Sequence, residues 1–245
     1  MQMPKHVDRV SSWGDRLLPR RLIVTFHGLG VPDMPIPAEE APYWVPAQAL
    51  AETIALAAHA DIHITFDDGY ASDHDIAMPM LLQAGITGSF FVLAGRLDRP
   101  GSLARREVVE LAAAGMTIGS HGFDHVNWTQ TSDRQMQREL HDARTAIQDC
   151  LGAEVDTVSV PFGAFDARVL RLIREAGYRR VYTSSGTLAC REGWLMPRHT
   201  VKQSTVVARD IPRWRSMRAS MESGLRNLLR GRKYGFSTST AGPVR

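Results

Sequence analysis

The stretch Ile62-His63-Ile64-Thr65-Phe66-Asp67-Asp68-Gly69-Tyr70 constrains the chain more than any other. Its alternating β-branched and aromatic residues read as a strand. The strand ends abruptly in two adjacent carboxylates and a glycine. Adjacent Asp residues repel each other and have poor strand propensity. They suit a strand terminus where one carboxylate meets a cation and the other is left for proton chemistry. An Asp-Asp-Gly turn between two strands is the plainer alternative. It ranks lower because Ala71 to Ala84 reads as a helix rather than a second strand.

A similar strand precedes it. The apolar run from Leu22 to Phe26 ends in His27-Gly28. Ile23-Val24-Thr25-Phe26-His27-Gly28 matches Ile64-Thr65-Phe66-Asp67-Asp68-Gly69 through the shared Thr-Phe. Two parallel strands in that register place His27 beside the Asp pair. From Val31 to Pro46, five prolines mark a long loop, and its Tyr43 and Trp44 can wall a cleft.

Helical patterns run from Ala47 to Ala58, Asp73 to Gln83, Ser102 to Ala114, Thr131 to Leu151 and Asp166 to Ala176. Strand patterns alternate with them, from Ser89 to Leu93, Met116 to Gly119, Thr157 to Val160 and Arg180 to Thr183. Helices stop at Ala84-Gly85, Ala114-Gly115 and Ala176-Gly177, each followed by a strand. This cadence predicts an α/β fold with a parallel sheet. About six or seven β/α units fit a barrel better than a doubly wound sheet, and periodicity alone does not decide between them. The expected layout is an N-terminal extension over 1–21, one barrel domain over 22–208, and a basic helix with a tail over 209–245.

Charge and cysteine usage narrow the function. The formal net charge is +3, but the stretch from Arg209 to Arg245 holds nine Lys/Arg against two Asp/Glu. Basic charge confined to one end argues against a general nucleic-acid binder. Cys150 and Cys190 lack zinc-ribbon spacing, so a metal needs other ligands. The polar stretch from Met1 to Arg20 lacks the apolar run of a secretory leader, and no run approaches a membrane span. The expectation is a cytoplasmic protein with reduced thiols. Ile211, Trp214, Met217, Met221, Leu225 and Leu228 alternate with arginines as a basic amphipathic helix, with Pro212 in its first turn. Such a helix covers core, or it makes the protein membrane-peripheral at an anionic lipid face. The first reading is favoured. The stretch from Gly235 to Arg245 reads as disordered.

Ser120-His121-Gly122-Phe123-Asp124-His125 follows a strand and carries two imidazoles four residues apart. Two neutral imidazoles and a carboxylate are a natural ligand set for Zn²⁺ or a similar divalent ion, with a position left open for water. Asp68 supplies the carboxylate, and Asp67 remains as a proton acceptor.

These residues carry a family resemblance. Thr65-Phe66-Asp67-Asp68-Gly69-Tyr70 resembles the first motif of the polysaccharide deacetylases (carbohydrate esterase family 4), which include the rhizobial chitooligosaccharide deacetylases. Ser120 to His125 resembles the second motif, and Pro161-Phe162-Gly163 resembles the end of the third. The resemblance covers residues 22–201. It implies a distorted (β/α) barrel of about seven units and a hydrolase that removes N-acetyl groups from an amino sugar or glycan precursor. It implies a metal held by Asp68, His121 and His125, most simply Zn²⁺ with Co²⁺ or Ni²⁺ as alternatives. Asp67 is then the general base. The backbone N–H of Phe162 helps to stabilise the oxyanion, and Pro161 and Tyr70 join it at the substrate. Related readings keep the metal site but change the reaction to deformylation or another C–N hydrolysis on a lipid-linked aminosugar. A catalytically degenerate glycan-binding protein is the reading from another class.

Two departures from the family pattern stand out. The third motif usually begins with an Arg that steadies the catalytic Asp, and here that position is Ser159. Either the base lacks a cationic partner, or another residue such as Arg198 replaces it. The late motif that ends in the acid His is also missing, because Met196-Pro197-Arg198-His199 is a poor match. His27 is the better candidate for the general acid, as in a permuted form of the family, with His199 behind it.

Overall fold

The structure is a computed structural model that describes residues 20–32 and 34–216, together with positions 218, 219, 222, 225, 226, 229, 233 and 234. Its frame is a nine-stranded sheet in the order β7-β1-β2-β3-β4-β5-β6-β8, with β9 also paired to β1. The strands are β1 (Arg20–Phe26), β2 (Ile62–Asp68), β3 (Ser89–Val92), β4 (Thr117–Ser120), β5 (Thr157–Ser159), β6 (Arg180–Thr183), β7 (Ala189–Cys190), β8 (Leu195–Pro197) and β9 (His199–Thr200). Every pairing is parallel except β1 with β7.

Closure of the sheet depends on one short stretch. β8 pairs with β6 at one edge, and β9 pairs with β1 near the other. Only Arg198 separates β8 from β9, so Leu195 to Thr200 bridges the gap and makes a distorted (β/α) barrel. The alternation of side chains then assigns an inside and an outside. Ile23, Phe91, Tyr182, Ala189 and Met196 form an apolar plug inside the barrel. Phe26, Phe66 and Phe90 lie in register on the outer face, with ring centroids 5.8 Å and 4.5 Å apart. They pack in the larger core under the helices. Burying such a ring contributes about 1.5–3 kcal/mol.

The helices are α1 (Ala47–Ala57), α2 (Met78–Gln83), α3 (Arg105–Ala113), α4 (Asp133–Gln137), α5 (Ala143–Leu151), α6 (Ala167–Glu175) and α7 (Val207–Arg215). The glycines that end α3 and α6 have φ of 83° and 80°, the left-handed conformation in which a side chain is disfavoured. Four details differ from the sequence reading. The helix expected from Asp73 begins as a π-helical turn, Asp73–Ala77, before α2. The helix expected from Thr131 is likewise split into α4 and α5 by a π-helical turn, Arg138–Asp142. Ser102 caps no helix. It bridges to Tyr70 instead, and the Glu107 carboxylate accepts from the Ala104 N–H at the start of α3. The C-terminal helix starts at Val207, which puts Pro212 inside it rather than in its first turn.

Val207 and Ile211 of α7 are buried in the barrel's outer core, and Trp214 packs against it. This much of the basic helix covers core. Met217, Met221 and Leu228 of the amphipathic pattern lie outside the described residues, as do the expected N-terminal extension through residue 19 and the expected disorder from Gly235 onward. Among the described residues no helix is long and apolar enough to cross a membrane. The two cysteines are unpaired and half-buried.

Candidate active site

The parallel strands bring their C-terminal ends to one rim, where loops converge. Phe26 pairs with Phe66, so the next residue of each strand places His27 beside Asp67, as the shared Thr-Phe register predicts. Asp67 continues the inward face of Thr65. Strict alternation would turn Asp68 outward. Its φ of 76° breaks the alternation and swings its carboxylate into the same cleft. His125 and Phe162 also have positive φ, at 55° and 58°. Three of the residues facing this cleft therefore hold a backbone conformation that costs energy, as side chains at functional sites often do.

Asp68 Oδ1 lies 3.4 Å from Nε2 of both His121 and His125. Ligand atoms around a tetrahedral ion bound at about 2.0–2.1 Å are separated by about 3.3 Å. The spacing therefore fits a tetrahedral divalent ion. Asp68 Oδ1 is buried and has no hydrogen-bond partner, an arrangement that a cation would satisfy. His121 Nδ1–H donates to the Ser159 carbonyl at 2.9 Å, which leaves the Nε2 lone pair turned toward Asp68. Burial lowers the His125 pKa to about 4, despite the opposing charge of Asp68, so this imidazole is neutral. Burial disfavours ionisation of Asp68. The contact with His121 outweighs it and holds the carboxyl well below its usual range. A neutral imidazole and an ionised carboxylate are the forms that bind a metal.

Asp67 faces a different partner. Arg198, fully buried, donates from Nη1 to Asp67 Oδ1 at 2.8 Å and from Nη2 to Oδ2 at 2.6 Å. Ser159 Oγ accepts from Arg198 Nη2 at 2.7 Å and donates to Asp67 Oδ2 at 3.1 Å. Nη1 also reaches the hydroxyls of Thr25 and Thr65, at 3.2 Å and 3.1 Å. Burial works against ionisation of Asp67, but the Arg198 charge more than offsets it and lowers the pKa. The cationic support absent at Ser159 thus comes from Arg198, in the stretch that closes the barrel.

The remaining residues line a cavity of ≈ 200 Å³ above the two Asp residues. His27 is part of this lining, and its Nδ1 is buried without a partner. Burial lowers its pKa, opposed by Asp68 and Asp67. His199 is not part of the lining. Thr200 is, and alternation turns the preceding His199 to the outer face, where it stacks on Trp214 with centroids 4.5 Å apart. Tyr43 and Trp44 wall the cavity, as the Pro-rich loop predicts. The Trp44 ring lies directly on Gly28, leaving no room for a Cβ there. Tyr70 lines the cavity, and its hydroxyl donates to Glu40 at 2.6 Å. Phe162 is exposed and its ring lies 4.5 Å from His125. Pro161 is buried in the turn before it and does not line the cavity.

Two buried carboxylates to which the sequence reading gave no role at the site lie close to it. Glu139, on the π-helical turn Arg138–Asp142, is fully buried. Its carboxylate accepts from the Phe123 N–H at 2.9 Å, the Asp124 N–H at 3.2 Å and Trp128 Nε1 at 3.2 Å. It thereby fixes the loop that presents His125. A Cβ at Gly122 would come within 2.5 Å of Glu139 Oε2, so this loop needs glycine there. The signal was an acidic residue flanked by Met136, Leu140 and Ala143 on an apolar helix face. Asp73 is also fully buried, and neither carboxyl oxygen has a partner. Burial, then Asp68 and Asp67, raises its pKa well above the usual carboxylate range. Nothing in its sequence neighbourhood set it apart.

A polysaccharide deacetylase family profile matches residues 57–181, which covers both strand-end motifs and the turn at Phe162. The chain belongs to the polysaccharide deacetylase family. It is 30% identical over 127 residues to a chitooligosaccharide deacetylase of Rhizobium leguminosarum bv. trifolii, covering 51% of this chain and 56% of the relative. It is 28% identical over 125 residues to the peptidoglycan-N-acetylmuramic acid deacetylase PdaA of Bacillus subtilis, covering 50% of this chain and 46% of that one. The chain thus spans about half the length of these curated relatives. In fold it is similar to the Streptococcus pyogenes deacetylase PplD, with a TM-score of 0.71 at 15% identity over 81% of this chain and 99% of that one.

Proposed function

We propose that the chain is a metal-dependent hydrolase that removes an N-acetyl group from an amino sugar or glycan, releasing acetate. The observation that carries this reading is the division of labour between adjacent carboxylates. Asp68 faces two imidazoles at metal-ligand spacing, while Asp67 is held ionised by Arg198. A glycan-binding protein has no need of a buried anionic base next to a metal ligand.

Asp68, His121 and His125 would hold the ion. A divalent cation there, with Zn²⁺ the best match to this donor set, would supply Lewis acidity to the amide carbonyl and lower the pKa of a nearby water. Asp67 takes a proton from the attacking water through a carboxylate oxygen. Arg198 and Ser159 fix the orientation of that carboxylate and keep it ionised, so the base is ready at neutral pH. The Phe162 backbone N–H supports the oxyanion as the carbonyl becomes tetrahedral. The C–N bond then breaks, and the sugar nitrogen takes a proton. His27, lining the same cavity, is the donor. Burial keeps it neutral at rest, so it first takes from Asp67 the proton removed from the water and then passes it to the leaving nitrogen, while the second water hydrogen leaves with the acetic acid. The faces of Trp44 and Tyr70 shield the reacting amide from bulk water, and Phe162 offers an exposed ring for stacking on the sugar.

The test is acetate release from N-acetylated chitooligosaccharides by the protein as purified, after chelation, and after Zn²⁺ is restored. Activity lost on chelation and recovered on adding Zn²⁺ is expected. Equal rates before and after chelation would contradict the reading.

A further inference from the structure

The cavity has in its lining one charge that no ion pair among the described residues balances. Lys202 lines it from the segment that follows β9. Its Nζ lies 3.2 Å from the Tyr43 hydroxyl and 4.5 Å from the centre of the Tyr43 ring. Among the described residues no carboxylate lies within ion-pair distance of it. The other charges around the cavity are matched. Asp67 is paired with Arg198. Asp68 faces His121 and His125. Glu40 accepts from Tyr70 at 2.6 Å and lies 3.7 Å from Arg96.

The lysine is also held in place. The Lys202 N–H donates to Thr205 Oγ1 at 3.0 Å. The next residue ties this segment to the aromatic loop twice. The Gln203 N–H donates to the Pro42 carbonyl at 2.9 Å, and its side-chain amide donates to the Trp44 carbonyl at 3.1 Å. A free surface lysine lies over solvent. This one leans on an aromatic face, half-buried, toward a cavity of ≈ 200 Å³ that also contains the Asp pair. A partly desolvated ammonium without a counter-ion favours a ligand that supplies one. A neutral sugar has only hydroxyls and amides to offer.

We propose that Lys202 is a specificity-determining residue that selects N-acetylated sugars bearing an anionic substituent, a carboxylate or a phosphate, on or next to the unit that enters the cavity. The proposal rests on the deacetylase reading for its reaction, but recognition of the anion can be measured separately. The lysine acts through binding, so its effect falls on KM and affinity rather than on kcat.

The experiment compares three substrates: neutral N-acetylglucosamine oligomers, an oligomer containing N-acetylmuramic acid, whose ether side chain carries a carboxylate, and N-acetylglucosamine phosphate. Acetate release is measured on the wild-type protein, Lys202→Met and Lys202→Arg, all loaded with Zn²⁺. Equilibrium binding of the same compounds is measured by calorimetry. The expected result is a preference of about tenfold or more in kcat/KM and in affinity for one anionic compound over the neutral oligomer. Lys202→Met abolishes that preference through KM and leaves the neutral oligomer within about twofold. Lys202→Arg retains it. Whichever anion is preferred identifies the substituent. Equal affinity for neutral and anionic compounds would overturn the proposal, as would an equal loss on all three in Lys202→Met. No acetate from any compound, with the binding preference intact, would count against the deacetylase reading and leave Lys202 as the anion reader.

Discussion

Arg198 clasps Asp67 across the barrel interior with two hydrogen bonds, 2.8 Å from Nη1 to Oδ1 and 2.6 Å from Nη2 to Oδ2, although 131 residues separate them. Both side chains are almost completely removed from solvent. Such a pair is costly to break from one side, because the remaining charge stays buried without a partner. The guanidinium also sits 5.4 Å from the Phe91 ring and 5.7 Å from the Tyr182 ring, above the apolar plug. Closing the barrel and holding Asp67 ionised are therefore tasks of the same residue.

Arg198→Met should accordingly destabilise the fold by about 3–5 kcal/mol in urea unfolding and also lower acetate release. Because Ser159 Oγ already lies 2.7 Å from the guanidinium, adding Ser159→Arg to Arg198→Ser should recover part of the activity. Recovery would show that the barrel accepts the supporting cation from the end of β5 as well as from the closing stretch. A double variant no better than Arg198→Ser alone would show that the charge works only from the closing stretch.

Glu139 bears on the proposed metal ligand His125 rather than on Asp67. Glu139→Ala removes the acceptor for two loop N–H groups and the Trp128 indole. We expect Zn²⁺ affinity to weaken by about 10–100-fold in chelator competition, since residues that orient ligands carry effects of this size. Glu139→Gln keeps one carbonyl acceptor and should lie between. Unchanged affinity in Glu139→Ala would show that His125 is placed without it.

His27 and His199 separate cleanly. His27→Ala should lower kcat by about 10²–10⁴-fold, the range for loss of a general acid. His199→Ala should leave kcat nearly intact and lower stability, because His199 stacks on Trp214 away from the cavity. The opposite pattern in acetate-release kinetics would move the proton donor to His199.

His63 sets a pH dependence of stability. Its ring lies 2.9 Å from Ser89 Oγ, and burial lowers its pKa to about 4 from an ordinary 6.5. The unfolded chain therefore binds a proton in a window where the folded chain does not. Stability from this group is complete above pH 6.5 and falls as pH drops from 6.5 toward 4. The loss reaches about 3 kcal/mol at the lower end. In His63→Gln the urea midpoint should fall less steeply over this range. A slope equal to that of the wild type would exclude His63 as the source.

Much of this was legible locally. The repeated Thr-Phe strand end placed His27 next to Asp67, and the helix–glycine–strand cadence indicated the parallel barrel. The two motifs His121-to-His125 and Asp67-Asp68 pointed to the three side chains that the fold brings together at ligand spacing. Residues whose roles depend on distant partners were not legible. β8 and β9 are three and two residues long, too short for any periodicity, and their role as a clasp exists only once β1 and β6 face each other. Arg198 could be named as a substitute for the missing arginine, but its place at the closure could not. The π-helical turn that presents Glu139 leaves the apolar spacing of its helix almost unchanged. The backbone reversal at Asp68 is likewise invisible in a strand pattern that alternates up to that point.

The most direct test of the account is to measure bound Zn²⁺ and acetate release side by side in the wild-type protein and in Asp67→Asn. The account predicts that both proteins hold the ion through Asp68, His121 and His125, while Asp67→Asn releases acetate about 10²–10⁴-fold more slowly. Full activity in Asp67→Asn, or bound ion in the wild type with no acetate from any N-acetylated glycan, would contradict it.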